Sequence, residues 1–118
     1  MTEKEAILAF MMGERVKSAL IVATQLAMAI EGFLDHEKEG ANRVFSVFLR
    51  SLYKDLGLAH KVSPQEEWAE IRKELDSGLT MVDSKVSQGA IDNLSRAISH
   101  ATTVSNRTMS FLKEKGLL

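Results

Sequence analysis

Cysteine is absent from this chain. That removes disulfides, thiolate nucleophiles and every cysteine-ligated zinc or iron–sulfur site, and it fits a reducing compartment. Proline occurs once and glycine seven times, so no Pro/Gly-rich linker or low-complexity segment divides the chain. Neither sign of charge dominates. Fifteen Lys and Arg against sixteen Asp and Glu leave a net charge of −1, and no global field favours nucleic acid or an anionic membrane. No apolar run is long enough to span a bilayer. The best stretch, 16–34, contains Lys17, Gln25 and Glu31, and its charge-free centre, 18–30, is too short. The opening Met1-Thr2-Glu3-Lys4-Glu5 is acidic where a secretory signal is basic, and the apolar run 6–12 is cut by Gly13-Glu14-Arg15. The expected location is therefore the cytoplasm, without membrane contact. Strand-type alternation of apolar and polar residues is missing too.

What is present is helical periodicity over a length that suits one domain, 1–118. Gly40, Gly57, Gly78 and Gly116 each follow an apolar-periodic stretch and read as helix ends, because glycine tolerates the left-handed conformation there. Start signals alternate with them. Thr2 with Glu5 forms a capping box, Asn42 can cap a second helix, and Ser63-Pro64-Gln65-Glu66 opens a third. Thr80 with Asp83 opens a fourth. The prediction is an all-α, up-and-down bundle of four helices at about 3–38, 42–57, 64–76 and 81–115, or five if Gly13 breaks the first. The middle two could also run collinear as one broken leg. The loop 58–63 is long enough to reverse the chain, which favours four.

Core stripes follow from spacing. The fourth predicted helix carries Ala90, Leu94, Ala97, Ala101, Val104, Thr108 and Phe111, spaced 4, 3, 4, 3, 4, 3, the repeat of a helix–helix seam. The first carries Val16, Ala19, Leu20, Ala23, Leu26, Ala27, Ile30, Phe33 and Leu34. The second offers Phe45, Phe48, Leu49, Leu52 and Leu56. The third has only the narrow stripe Trp68, Ile71 and Leu75, and is expected to lie outside as a lid.

Charge placement points to function. The segment 18–30 has no charge, and 86–106 has only Asp92 and Arg96 besides His100. A helix that faces water on one side normally carries charge there. Here Ile21, Thr24, Gln25 and Met28 lie off the first core stripe, and the fourth helix presents Ser95, Ser99, Thr102 and Asn106, all mediocre helix formers. These eight residues are the expected interface of a homo-oligomer, with a symmetric dimer favoured and a protein partner as the other occupant. The reading is a non-catalytic interaction protein that self-associates as subunit, adaptor or chaperone of a larger assembly.

The search for chemistry turns on three histidines. Glu31, Asp35 and Glu39 share a helical flank, while His36 falls at helical spacing with residues such as Gly32, Phe33 and Gly40, and no Glu-x-x-His occurs. No metal site and no cofactor are expected. His60 falls in a predicted loop. His100 is followed by Ala101-Thr102-Thr103-Val104, not by the Lys-Gly of histidine phosphotransfer domains. With Asp92 and Arg96 it forms an i,i+4 ladder bordering the core. The order Arg96-Ala97-Ile98-Ser99-His100 resembles the Arg-then-His motif of HEPN-type ribonucleases, which set the two residues slightly further apart. That resemblance implies metal-independent RNA cleavage as the alternative function, with Arg96 stabilising a phosphorane and His100 moving a proton. Basic residues such as Arg43, Arg50, Lys54, Lys61, Arg72 and Lys73 are diluted by acids, so nucleic acid is not an expected partner.

Overall fold

The computed structural model describes the backbone of residues 1–118 and every side chain but that of Ser87. Four α-helices follow one another: α1 Glu3–Glu31, α2 Asp35–Val62, α3 Glu66–Asp83 and α4 Ala90–Glu114, with a 3₁₀ turn at Ser87–Gly89 before the last. No strand occurs among the described residues. Each helix packs on its neighbours in the chain, and α1 on α4 closes the ring. Cross-links at several levels show that neighbours run antiparallel: Arg15 to Asp55, Tyr53 to Asp76, Glu67 to Arg107 and Glu14 to Ser105. The bundle measures 54 × 22 × 17 Å, which suits helices of roughly 1.5 Å rise per residue.

The helix boundaries differ from those read off the glycines. The first turn falls at Gly32, whose N–H caps α1 by donating to Ala29 and Ile30. Glu37 accepts from the Leu34 N–H at 2.8 Å and so starts α2. Gly40 and Gly57 lie inside α2, and Gly78 lies inside α3. Asn42 is a buried mid-helix residue, not a cap. Thr80 and Asp83 end α3 instead of opening α4. Asp83 accepts from Ser46 at 3.1 Å and from Arg50 at 3.0 Å. The left-handed position after α3 is taken by Lys85 at φ 65°, where sterics favour glycine. Gly116, at φ 73°, does close α4 as expected, and the Thr2–Glu5 capping box opens α1.

Gly13 does not break α1; it packs it. A Cβ there would lie 2.8 Å from Ser105 Oγ and 3.5 Å from the Ala101 carbonyl, so its absence lets α1 and α4 approach closely. Gly57 has nothing within 4 Å of the same position. Urea denaturation is expected to show Gly13→Leu destabilised by about 1–3 kcal/mol through overpacking. Gly57→Ala gains about 0.5–1 kcal/mol, since glycine in a helix interior carries only its entropic cost. Equal responses at the two sites would mean that α1 and α4 do not meet at Gly13.

Most of the predicted stripe residues form the core. Leu20, Ala23, Phe45, Leu49, Leu52, Leu56, Leu94, Ala97, Ala101 and Val104 are all buried. The third helix is not a lid. Trp68, Ile71, Leu75 and Val82 are all buried as well, and α3 is a full leg packed on both α2 and α4. Ser63 proves to be a pin and not an N-cap. It is wholly buried at the end of α2, its Oγ donates to the Glu5 carbonyl at 3.0 Å, and its own carbonyl accepts from Trp68 Nε1 at 2.9 Å. Three helices are thereby tied at one end.

Candidate functional site

The expected interface residues sit on outward flanks of α1 and α4. Ile21, Gln25 and Met28 are exposed, while Thr24 is half-buried and donates its hydroxyl back to the Leu20 carbonyl at 3.0 Å. On α4, Ser95, Ser99 and Asn106 are exposed and Thr102 is half-buried. Hydroxyls on this face turn inward: Ser99 donates to the Ser95 carbonyl at 3.2 Å and Thr103 to the Ser99 carbonyl at 3.0 Å. Such back-bonds occupy the donors within the helix, so the face carries little charge and few free hydroxyl donors.

A larger apolar surface lies on the other flank of α1. Phe33, Leu34 and Leu26, placed in the first core stripe by their spacing, are exposed in the structure. For Phe33 and Leu34 the reason is the early end of α1, which leaves both in the turn; Leu26 lies within α1 on the flank toward α2. Val22 is exposed beside them, and on α2 Val44 and Val47 are 71% and 68% exposed, the highest values for large apolar side chains among the described residues. Between the helices, Leu26, Phe33, Ala41 and Val44 help to line a groove of about 270 Å³. Their signal in the sequence is the phase of Val44 and Val47, which fit none of the positions shared by Phe45, Leu49, Leu52 and Leu56.

Arg96 and His100 occupy the seam between α3 and α4. Arg96 Nε donates to both carboxylate oxygens of Glu74 at 3.1 Å, and Asn93 Nδ2 donates to the same group at 3.1 Å. Burial works to raise the Glu74 carboxyl, and these bonds outweigh it, holding the group below the usual carboxylate range. Arg107 forms a two-pronged pair with Glu67 at 2.7 and 2.9 Å; that pairing lowers Glu67 and raises the guanidinium. His100 is half-buried between these pairs. The ladder expected within one helix therefore draws its acids from α3, and Arg96 turns to Glu74 instead of Asp92. A phosphate-stabilising role would require Arg96 to leave that pair.

Elsewhere the polar groups serve the fold. Desolvation, then the hydrogen bond to Asp76, pushes the Tyr53 hydroxyl up to about 12, and Arg72 stacks over its ring at 5.1 Å. His60 lies exposed within α2, not in a loop. Two clefts of about 340 and 450 Å³ flank the start of α2, lined by charges of both signs, among them Glu39, Arg43, Asp83 and Lys85. Among the described residues no three His, Asp or Glu side chains converge as a metal site, and no buried side-chain polar atom lacks a partner. No described helix is long and apolar enough to cross a membrane.

Fold and surface together define an all-α, up-and-down four-helix bundle with an uncharged face. No family model, curated protein or solved structure matches the chain.

Proposed function

We propose that this chain is a non-catalytic interaction protein that self-associates in the cytoplasm, as a dimer, and serves as subunit, adaptor or chaperone of a larger assembly. One observation carries the reading. The outward positions of 18–30 bear no charge, yet Ile21, Val22, Leu26 and Met28 stand exposed there. Exposed apolar side chains scattered singly are ordinary; a continuous strip running over α1 onto α2 marks a contact surface. The cysteine-free composition is in keeping with a reducing compartment.

Light scattering at micromolar protein tests the idea. The wild-type chain is expected to weigh twice its 13.1 kDa. Val22→Glu and Leu26→Lys are expected to weaken association by about tenfold, since charge placed in an apolar contact is left unpaired. Their thermal stability as monomers changes little, both side chains being exposed. A wild-type mass of 13.1 kDa at that concentration rules the reading out.

A further inference from the structure

Helix α2 carries two seams. The inward one, through Phe45, Leu49, Leu52, Leu56 and Ala59, is buried in the bundle. On the outward side Gly40, Val44, Val47, Ser51, Lys54 and Leu58 recur at spacings of 4, 3, 4, 3 and 4, and every one of them is exposed. Glu37 lies one step earlier at the same phase. Val44, Val47 and Leu58 are its apolar members, at the spacing by which a helix packs along another helix, and no helix of this chain covers them.

We infer that the outward seam of α2 pairs antiparallel with the same seam of a second copy of this chain, about a twofold axis beside Val47. The inference rests on the self-association reading and names the surface and register: the α2 side of the apolar strip, in place of the flank of Ile21, Met28 and Ser99 expected from the sequence.

Charge favours this direction along the seam, while Arg43 of one copy comes near Arg50 of the other, which its own Asp83 already engages. In the antiparallel arrangement Val44 meets Ser51 of the second copy, and the two Val47 side chains meet near the axis. Glu37 then lands opposite Leu58, with Lys54 and Lys61 of the second copy on either side. A parallel arrangement would set Glu37 against Glu37 and Lys54 against Lys54, which like-charge repulsion disfavours. The wider charge pattern agrees. Residues 31–43 hold four acids and two bases, residues 3–17 and 50–61 hold six bases and four acids, and 18–30 and 44–49 hold none. An antiparallel pair places the acidic end of one copy over the basic end of the other.

Gly40 fits the same geometry. Glycine is unfavourable in a helix interior, and a Cβ at Gly40 would meet nothing within 4 Å in this chain. Packing within the bundle supplies no reason for it, as it supplies none for Gly57. In the antiparallel pair Gly40 lies beside the aliphatic stem of Lys54 of the second copy, and the missing side chain lets the two backbones draw together. Leu26 and Phe33, along the α1 edge of the seam, extend the apolar area toward the ~800 Å² per partner of a standard interface.

The chain has no cysteine, so Val47→Cys introduces a single thiol per copy. On mild oxidation it is expected to give a disulfide-linked dimer, because residues beside a twofold axis come within disulfide reach. Ser99→Cys, on the outer face of α4, is expected to stay unlinked under the same conditions. Val47→Glu is expected to raise the dimer dissociation constant at least about tenfold, two like charges meeting at the axis. Its monomer retains the wild-type helical circular dichroism. A wild-type dimer that Val47→Cys fails to link, that links equally at Ser99, or that Val47→Glu leaves intact overturns the α2 seam while self-association stands. A wild-type monomer at micromolar concentration overturns both.

Discussion

Trp68→Ala is expected to lower the unfolding free energy by about 3–5 kcal/mol, the upper range for removing a large core side chain. Trp68 is 2% exposed, and its indole N–H bonds the Ser63 carbonyl. Ser63 in turn holds Glu5 at the start of α1. Truncation therefore does two things at once. It leaves a cavity between α3 and its neighbours, and it orphans a buried carbonyl, which alone costs about 1–3 kcal/mol. Trp68→Phe separates the two effects, because it keeps most of the ring volume and loses the hydrogen bond. Its expected cost is the smaller figure. Circular dichroism in urea is the measurement of choice, since Trp68 is the sole tryptophan and its removal abolishes the indole fluorescence. A loss under about 1 kcal/mol for Trp68→Ala would place the side chain in a site that collapses or admits water.

Leu94→Ala is expected to cost about 2–5 kcal/mol, toward the upper end. Leu94 is fully buried on α4. The core around it is rich in alanine: Ala23 and Ala27 on α1, and Ala90, Ala97 and Ala101 on α4 itself, are fully buried. A core built on small residues brings helices close but leaves few large side chains to fill the remaining space. Each of those few carries a larger share, and rigid helix backbones cannot close over the void. Leu94→Met, which conserves volume, is expected to cost under about 1.5 kcal/mol. Ser99→Ala, on the outer face, is expected to be neutral or slightly stabilising, because alanine is the better helix former. The pair tests whether α4 faces inward along its predicted stripe; similar losses at Leu94 and Ser99 would mean it does not.

Legibility of the fold in the sequence varied by feature. The stripes through Leu94 on α4 and Leu49 on α2 were readable because an apolar residue every three or four positions is a property of the segment itself. Helix ends were not. Gly40, Gly57 and Gly78 looked like caps, since glycine tolerates the left-handed conformation, but tolerance is not requirement. Gly78 is buried against α4, where an added Cβ would lie at ordinary contact distance, 3.6 and 3.7 Å, from those of Asn93 and Ala90, a setting invisible in α3 alone. Lys85 adopts the left-handed angle that glycine would fill more cheaply. Ser63-Pro64 carried a strong start signal, yet the buried Ser63 hydroxyl is used 58 residues away in sequence.

The candidate surface divides in the same way. Lack of charge in 18–30 and 86–106 was plain from the residues, and the exposure of Ile21, Gln25 and Met28 followed from their phase. Phe33, Leu34, Val44 and Val47 were not recognised as surface. Their exposure depends on where α1 stops and on how α2 turns against it. Arg96 and His100 were legible as a charged flank, whereas the acids that engage it, Glu67 and Glu74, come from α3 through tertiary packing.

By itself the sequence determined the helical class, most of the inward stripes and the scarcity of charge on α1 and α4, because each of these is encoded by residues within a turn or two of one another. Tertiary structure decided where the turns fall, that α3 is a leg of the bundle, what Gly13 and Ser63 are for, and which apolar side chains remain uncovered. Those outcomes depend on which helix lies alongside, and a local pattern carries no record of its neighbour.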